Sequence, residues 1–294
     1  DVTHIEELWE LGYLPIKIKA LPEGTSVPIG VPCFTIENTI PSFFWLTNYL
    51  ETVLSAEIWK ATNTATVARQ YRKLIDDYAE QTGADPEFSA FQGHDFSFRG
   101  LSGLHDASSS GAGHLLSFVG TDVVPAIDYL ENYYGADSDK ELVGVSVPSS
   151  EHSTMCMGTK EGEIETFRRL ITEVYPSGIV SLVSDTWDFF KVITEYSREL
   201  KLEIMTRKPD ANGNAKLTFR PDSGCPVSVI FCTAETFSSL DDAVTEINER
   251  HIEQARNDCE GSYCWGDDLY SDTVLVGGNA FKLITEFEYD RHDK

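Results

Sequence analysis

Positive charge is what this sequence has least of. Its 294 residues carry 23 Lys and Arg against 48 Asp and Glu, a formal net charge of −25. Gripping a phosphate backbone needs clustered Lys and Arg, so nucleic acid is excluded as a partner class. Anionic membrane surfaces are disfavoured for the same reason. A small phosphorylated ligand is not excluded, because a few focused arginines and a divalent cation reverse the field locally. No apolar run reaches transmembrane length, and no basic segment precedes a short apolar stretch. The six cysteines stand at 33, 156, 225, 232, 259 and 264. They form no C-x-x-C pair and no zinc-finger spacing with histidine, which points to reduced thiols and a cytoplasmic setting. Cys259 and Cys264, in a polar stretch, are the exception to test. The glycine-rich "SSSGAGH" (108–114) lacks the Lys-Ser/Thr of a phosphate loop and is not read as one. His4, His105, His251 and His292 show no metal-ligand spacing and read as surface residues.

What is present is a folded chain, 41% hydrophobic and 24% charged, with enough length for a large core or two domains. "PIKIKA" (15–20) alternates like a strand. "PSFFWLTNYLETVLSAEIWK" (41–60) spaces Phe43, Leu46, Leu50 and Val53 as a buried helical face, with Pro41 in the first turn. A second helix is expected over "ATVARQYRKLIDDYAEQ", ended by "TGADPE". Strand–helix units follow. Strands are expected at 115–120, 141–147, 178–184 and 215–220, and helices at 121–135, 161–175 and 185–200. Such repetition predicts parallel pairing, in a barrel or an open doubly wound sheet. Residues 238–258 read as a charged helix and the remainder as loop and strands.

In either α/β architecture the chemistry sits at the carboxyl ends of the strands. The strand exits carry Gly120-Thr121-Asp122, Pro148-Ser149-Ser150-Glu151-His152, Ser184-Asp185 and Arg220-Pro221-Asp222-Ser223-Gly224. Each holds a polar or ionisable group. Each also has a plain structural reading. Asp122 and Ser184-Asp185 are placed to cap the helices that follow, and "RPDSG" suits a turn. His152 stands alone among its neighbours as a histidine. Arg220, ending an apolar strand, is harder to explain without an anion.

"GHDFSFRG" (93–100) poses the same choice. Strict alternation would make it an edge strand, with His94, Phe96 and Phe98 on one face and Arg99 on the other. As a ligand loop, Phe96 would stack on a flat ring and Arg99 would grip an anion, which requires a bend between them.

Six stretches occur in order: "FTIENTIPSFFWLTNYLET", "GHDFSFRG", "FVGTD", "SVPSSEHST", "VSLVSDTWD" and "RPDSG". Together they resemble the nicotinamide phosphoribosyltransferases, type II phosphoribosyltransferases close to the nicotinate enzymes. The likeness is to a divergent, phage-like member and covers about residues 4–226. It implies an irregular, partial α/β barrel with an added β-containing region from the N-terminal part, acting as a homodimer. It implies transfer of phosphoribose from phosphoribosyl pyrophosphate to nicotinamide, giving the mononucleotide and pyrophosphate, with Mg²⁺ and with ATP hydrolysis coupled through a phosphohistidine. Carried across by motif, Phe96 would stack on the pyridine, Arg99 would bind phosphate, and Asp122 would accept the carboxamide N–H. Ser181 would face the amide pocket. His152 would be the phosphorylated histidine beside Asp185. Arg220 and Asp222 would meet the phosphate and ribose. No metal ligand is assigned.

The corresponding division is 1–40 as part of a smaller β-rich domain, 41–226 as the barrel core, and 227–294 as a divergent C-terminal region. The family's N-terminal segment and its later glycine-rich phosphate loop have no recognisable counterpart here. The expectation is therefore a piece of a longer enzyme, a component of a split enzyme completed by another polypeptide, or a non-catalytic binding or assembly chain. Within the enzyme class, nicotinate phosphoribosyltransferase is the alternative, and a carboxylate at position 122 argues for the amide by like-charge repulsion of the acid.

Overall fold

A computed structural model describes residues 2–224, Val229, and the backbone of 273–276 and 282–284. The helix expected at 238–258 and the pair Cys259 and Cys264 lie outside the described residues. Cys33 and Cys156 are exposed free thiols. Among the described residues no helix is long and apolar enough to cross a membrane.

Helix α1 (Thr3–Leu11) ends at Gly12, whose φ of +73° is the left-handed turn that glycine takes without strain. Strands β1 (Ile16–Ala20) and β2 (Phe34–Asn38) then pair as an antiparallel ribbon with Ile18 opposite Ile36. The two helices expected from 41 to about 81 form one, α2 (Phe44–Thr82), of 39 residues. No Gly or Pro interrupts it. The polar "ATNTAT" stays helical because Asn63 and Thr66 donate to the carbonyls of Trp59 and Thr62 one turn back. Phe43 and Leu46 are buried as the periodicity predicts, but Val53 is exposed.

Strand β3 (His94–Asp95) is followed by a 3-10 turn (Ser97–Gly100), so "GHDFSFRG" bends and is not an edge strand. Helix α3 (Leu104–His114) contains the glycine-rich stretch, buried from Ala107 to His114. Its small residues let three helices approach. A Cβ on Gly113 would stand 2.6 Å from the Ala61 carbonyl oxygen of α2. A Cβ on Gly111 would stand 2.7 Å from the Ala126 methyl of the next helix. The Thr64 and Ser110 hydroxyls bond across the α2–α3 seam at 2.8 Å. The strand expected at 115–120 is mostly turn, because α3 runs on to His114; only β4 (Gly120–Thr121) is extended. Helix α4 (Val124–Tyr134) follows, with Pro125 in its first turn.

The strand expected at 141–147 is likewise reduced to isolated bridges. Val145 pairs with Gly120, and Ser149 with Ser181, both parallel. Pro148, between them, has no N–H to donate. Helix α5 (His152–Cys156) leads to α6 (Glu163–Arg169), which passes into a π turn (Leu170–Val174). Strand β5 (Val180–Val183) is entirely buried. The next helix starts later than expected, as α7 (Phe189–Lys191) capped by Asp188, and continues through a π turn (Val192–Tyr196) into α8 (Ser197–Glu199). Helix α9 (Lys201–Met205) precedes β6 (Leu217–Arg220), which pairs parallel to β5. Strands β7 (Thr273–Val276) and β8 (Lys282–Ile284) extend that sheet antiparallel.

Parallel segments thus succeed one another from β3 to β4, to the 145–150 segment, to β5 and β6. The fold is α/β, and no closed barrel forms among the described residues. The main core lies beneath β5 and β6. Leu182, Val180, Leu217 and Phe219 pack against Met155, Phe167, Ile171 and Ile193. Each such side chain, fully removed from water, stabilises the fold by about 1.5–3 kcal/mol. Arg207 anchors the same layer. Its guanidinium donates to the carbonyls of Ile171, Tyr175 and Gly178, closing the π-turn end onto the loop before β5.

Gly113→Ala is expected to lower stability by about 1–3 kcal/mol, because backbone rather than a movable side chain blocks the new methyl. Denaturant unfolding reads this as a lower midpoint; an unchanged midpoint would contradict the close α2–α3 seam.

Candidate active site

The strand exits converge. Asp122 N–H donates to the Asp95 carbonyl, Ser150 N–H to the Ser181 carbonyl, and Ser184 N–H to the Arg220 carbonyl. These bonds extend the parallel ladder past the strands and bring Phe96, Asp122, His152, Asp185 and Arg220 to one end of the sheet. His114 supports it from below: its Nε2–H donates to the Gly120 carbonyl at 2.9 Å. Burial pushes the pKa of that histidine down, which favours the neutral ring.

A cavity of about 150 Å³ opens there, with His94, Phe96, Ser146, Ser181 and Arg220 in its wall. A void of that order accepts a benzene-sized ring. The Phe96 ring lies 4.4 Å from His94 and 5.8 Å from the Arg220 guanidinium carbon, centre to centre. Arg220 is 7% exposed. One terminal nitrogen donates to the Ser150 carbonyl at 2.8 Å and the other to Asp222 at 3.3 Å. Its Nε–H is buried without a partner among the described residues. An unpaired buried guanidinium donor is costly, and an acceptor on a ligand in the cavity would relieve it.

Asp122 is not the cap of α4. The N-cap of α4 is Val123, which has no side-chain cap bond, and its own N–H donates to the Thr121 hydroxyl. The Asp122 carboxylate instead accepts from His94 Nε2 at 2.8 Å and from the Ser146 hydroxyl at 2.6 Å, both on Oδ1. Burial opposes its ionisation, but the His94 and Ser146 bonds, with the Arg220 charge adding, outweigh burial and hold the carboxyl below its ordinary value.

Asp185 does not cap its helix either. Its Oδ1 accepts from His152 Nε2 at 2.9 Å, while Oδ2 accepts from the Asp222 N–H and the Ser223 hydroxyl. The other ring nitrogen of His152 faces Asp222 Oδ2 at 3.6 Å. The imidazole is therefore oriented by one carboxylate, with a second close by, as nucleophilic and acid–base histidines are. Asp222 is raised above its ordinary value by burial first and by the neighbouring Asp185 as well, with Arg220 pulling the other way.

Arg99 lies outside the cavity wall. Its side chain is 81% exposed and faces Glu151 at 3.7 Å, beside His152, so it stands on the histidine side of the site. Four contributing residues escaped the sequence reading. His94 was visible in "GHDFSFRG" but given no role in either the strand or the ligand-loop reading, and Ser146 sat inside an expected strand. Ser150 and Ser223 had no signal beyond their place at strand exits.

A ring-sized cavity at the carboxyl ends of parallel strands defines an α/β protein with a small-molecule site. Comparison with known proteins narrows that class. The "Nicotinate phosphoribosyltransferase (NAPRTase) family" matches residues 91–253, more than half of the chain. The chain belongs to that family. It is 62% identical over 230 residues to a nicotinamide phosphoribosyltransferase of Acinetobacter baylyi, covering 78% of this chain and 45% of that protein. Proteins of the same name from Xanthomonas campestris pv. campestris and Mycoplasma pneumoniae are 38% and 35% identical, over 74% and 78% of this chain and 45% and 46% of theirs. The chain thus spans less than half the length of these curated relatives.

Because its acid form is favoured by the fold, ionised Asp222 weakens stability. Between the ordinary carboxyl value and the raised one, the folded chain holds a proton that the unfolded chain has released, so stability falls as pH rises. Asp222→Asn is expected to raise the unfolding midpoint at neutral pH, with the gain vanishing below the ordinary carboxyl range. Unfolding curves at several pH values check this; equal midpoints at neutral pH would contradict it.

Proposed function

We propose that the chain carries the nicotinamide site of a phosphoribosyltransferase, joining nicotinamide to phosphoribosyl pyrophosphate to give nicotinamide mononucleotide and pyrophosphate. The observation that carries this is an ionised Asp122 bonded to His94 and Ser146, two residues in the wall of a ring-sized cavity that also holds Phe96 and a buried Arg220 with a spare donor. The names of the relatives support the same reading. In this proposal the described strands belong to the irregular barrel expected for the family, with 41–226 as its core and the N-terminal ribbon as part of a smaller β-rich domain. The working unit is a homodimer, or the chain joined to a complementing polypeptide.

The reaction asks little acid–base work of the protein. The pyridine nitrogen lone pair forms a bond to the ribose anomeric carbon as the bond from that carbon to the pyrophosphate oxygen breaks. The electron pair leaves with pyrophosphate, the ring becomes a pyridinium, and no proton moves. Phe96 orients the ring, and Ser181 and Asp122 orient the carboxamide, so that the nitrogen faces the sugar. Arg220, with Asp222, holds the ribose phosphate, and Arg99 supplies a further cationic contact.

Among the described residues no group of three or more His, Cys, Asp or Glu is arranged to hold a metal. Mg²⁺ would be carried mainly by substrate oxygens, with Asp222 at hand as a protein carboxylate. Bound there, the ion would neutralise charge on the departing pyrophosphate. His152, held by Asp185, is the residue placed to accept a phosphoryl group if ATP hydrolysis is coupled.

An ionised Asp122 also separates this reading from its nicotinate alternative, since it repels the carboxylate of nicotinic acid. Incubation of the chain with nicotinamide, phosphoribosyl pyrophosphate, Mg²⁺ and ATP is expected to yield the mononucleotide. Failure to bind nicotinamide and failure to form product would together reject the proposal. Asp122→Asn is expected to cut the preference for nicotinamide over nicotinate about 10- to 100-fold, the worth of one charge-assisted hydrogen bond. Competition kinetics with both substrates measures it; an unchanged ratio would remove Asp122 from the selecting role.

A further inference from the structure

His94 makes no appearance in the proposed chemistry, yet the site is built around it. It sits on β3, its backbone paired with Gly120 of β4. Its ring is fixed on one side by Phe96. It is fixed on another by Gly120, where a Cβ would come within 2.8 Å of Nδ1. From that position Nε2–H reaches Asp122 Oδ1 at 2.8 Å, and the Ser146 hydroxyl reaches the same oxygen at 2.6 Å. Two donors from two separate segments therefore saturate one oxygen of a carboxylate carried by a third. The other oxygen, Oδ2, has no hydrogen-bond partner among the described residues.

We infer that His94 is a positioning residue that sets the amide preference by acting through Asp122. This rests on the nicotinamide reading given above and adds the group that makes Asp122 selective. A carboxylate free to rotate about its χ angles offers either oxygen, in any plane, at an entropic cost to each ligand bond it makes. With Oδ1 pinned twice, the carboxylate plane is fixed and Oδ2 alone is presented to a carboxamide N–H. Ser146 works in the same sense, as a neutral donor from the facing segment.

The test is calorimetric binding of nicotinamide and of nicotinate to the chain and its variants. The parent is expected to prefer nicotinamide. His94→Leu, which keeps an apolar side chain but no donor, is expected to lose about 10-fold of that preference, the scale of one such bond. His94→Gln, whose amide nitrogen reaches the place of Nε2, is expected to restore most of it. In an Asp122→Asn background His94→Leu is expected to add nothing further, because the two act as one unit. Ser146→Ala removes the second bond from an exposed hydroxyl and provides a variant that spares the packing around Phe96; a several-fold loss is expected there. Retained preference in both His94→Leu and Ser146→Ala overturns the inference. So does His94→Gln that is as impaired as His94→Leu, or additive losses in the double variant. A parent chain that binds neither compound overturns the nicotinamide reading itself, and this inference with it. A parent that binds nicotinamide while the His94 series is flat overturns only the inference.

Discussion

A single buried guanidinium ties the strand exits together. Arg220 ends β6, donates to the Ser150 carbonyl on the segment before α5, and meets Asp222 on the turn that follows. Its guanidinium carbon lies 5.8 Å from the centre of the Phe96 ring. Removing it would release three loops from one another and leave their polar groups unpaired. The positive charge also has consequences beyond contact. It adds to the His94 and Ser146 bonds that lower the pKa of Asp122, and it offsets the effect of burial on Asp222. In a chain of net charge −25, one desolvated arginine is how a local field favourable to a phosphorylated ligand is made.

The surrounding fold keeps that arginine in register. Parallel pairing of β5 with β6 aligns Val183 with Arg220, and the fully buried face of both strands rests on Phe167, Ile171 and Ile193. Arg207 closes the layer beneath. On the other side, the close stack of α2, α3 and α4 sets the ends of β3 and β4, with His114 bonded to the Gly120 carbonyl. The cavity lies between the two halves, lined by His94 and Phe96 from one and by Ser181, Thr218 and Arg220 from the other.

Much of this was legible in the sequence. Apolar runs ending in "RPDSG" and "VSDTWD" located β5, β6 and the exits carrying Asp185 and Arg220. The α2 region was read as helix but divided in two, because Thr and Asn lower helix propensity, and the side-chain bonds to the preceding turn that accommodate them are not visible in a pattern. Residues 115–120 and 141–147 look like strands by composition. The first is turn and coil after α3 closes at His114, with only its last residue extended, and the second is split between two neighbours around Pro148. The glycine-rich "SSSGAGH" is not a phosphate loop, and its purpose, close helix packing, depends on partners far off in sequence on both sides, Ala61 and Ala65 beside Gly113 and Ala126 beside Gly111. For the site itself, periodicity favoured helix caps at Asp122 and Asp185. Local spacing cannot reveal that α4 starts from Val123 without a side-chain cap and that Asp188 caps the later helix, leaving both carboxylates to face histidines. The pairings that matter, His94 with Asp122 and His152 with Asp185, span about thirty residues and exist only once the sheet forms.

The account turns on where a nicotinamide ring would sit. A crystal structure of the chain soaked with nicotinamide tests it most directly. The ring is predicted to lie against Phe96 in the cavity between His94 and Arg220, with its amide N–H on Asp122 Oδ2 and an acceptor opposite the unpaired Arg220 Nε–H. Density for the ring elsewhere, or a filled cavity with that arginine donor still unpaired, would contradict it.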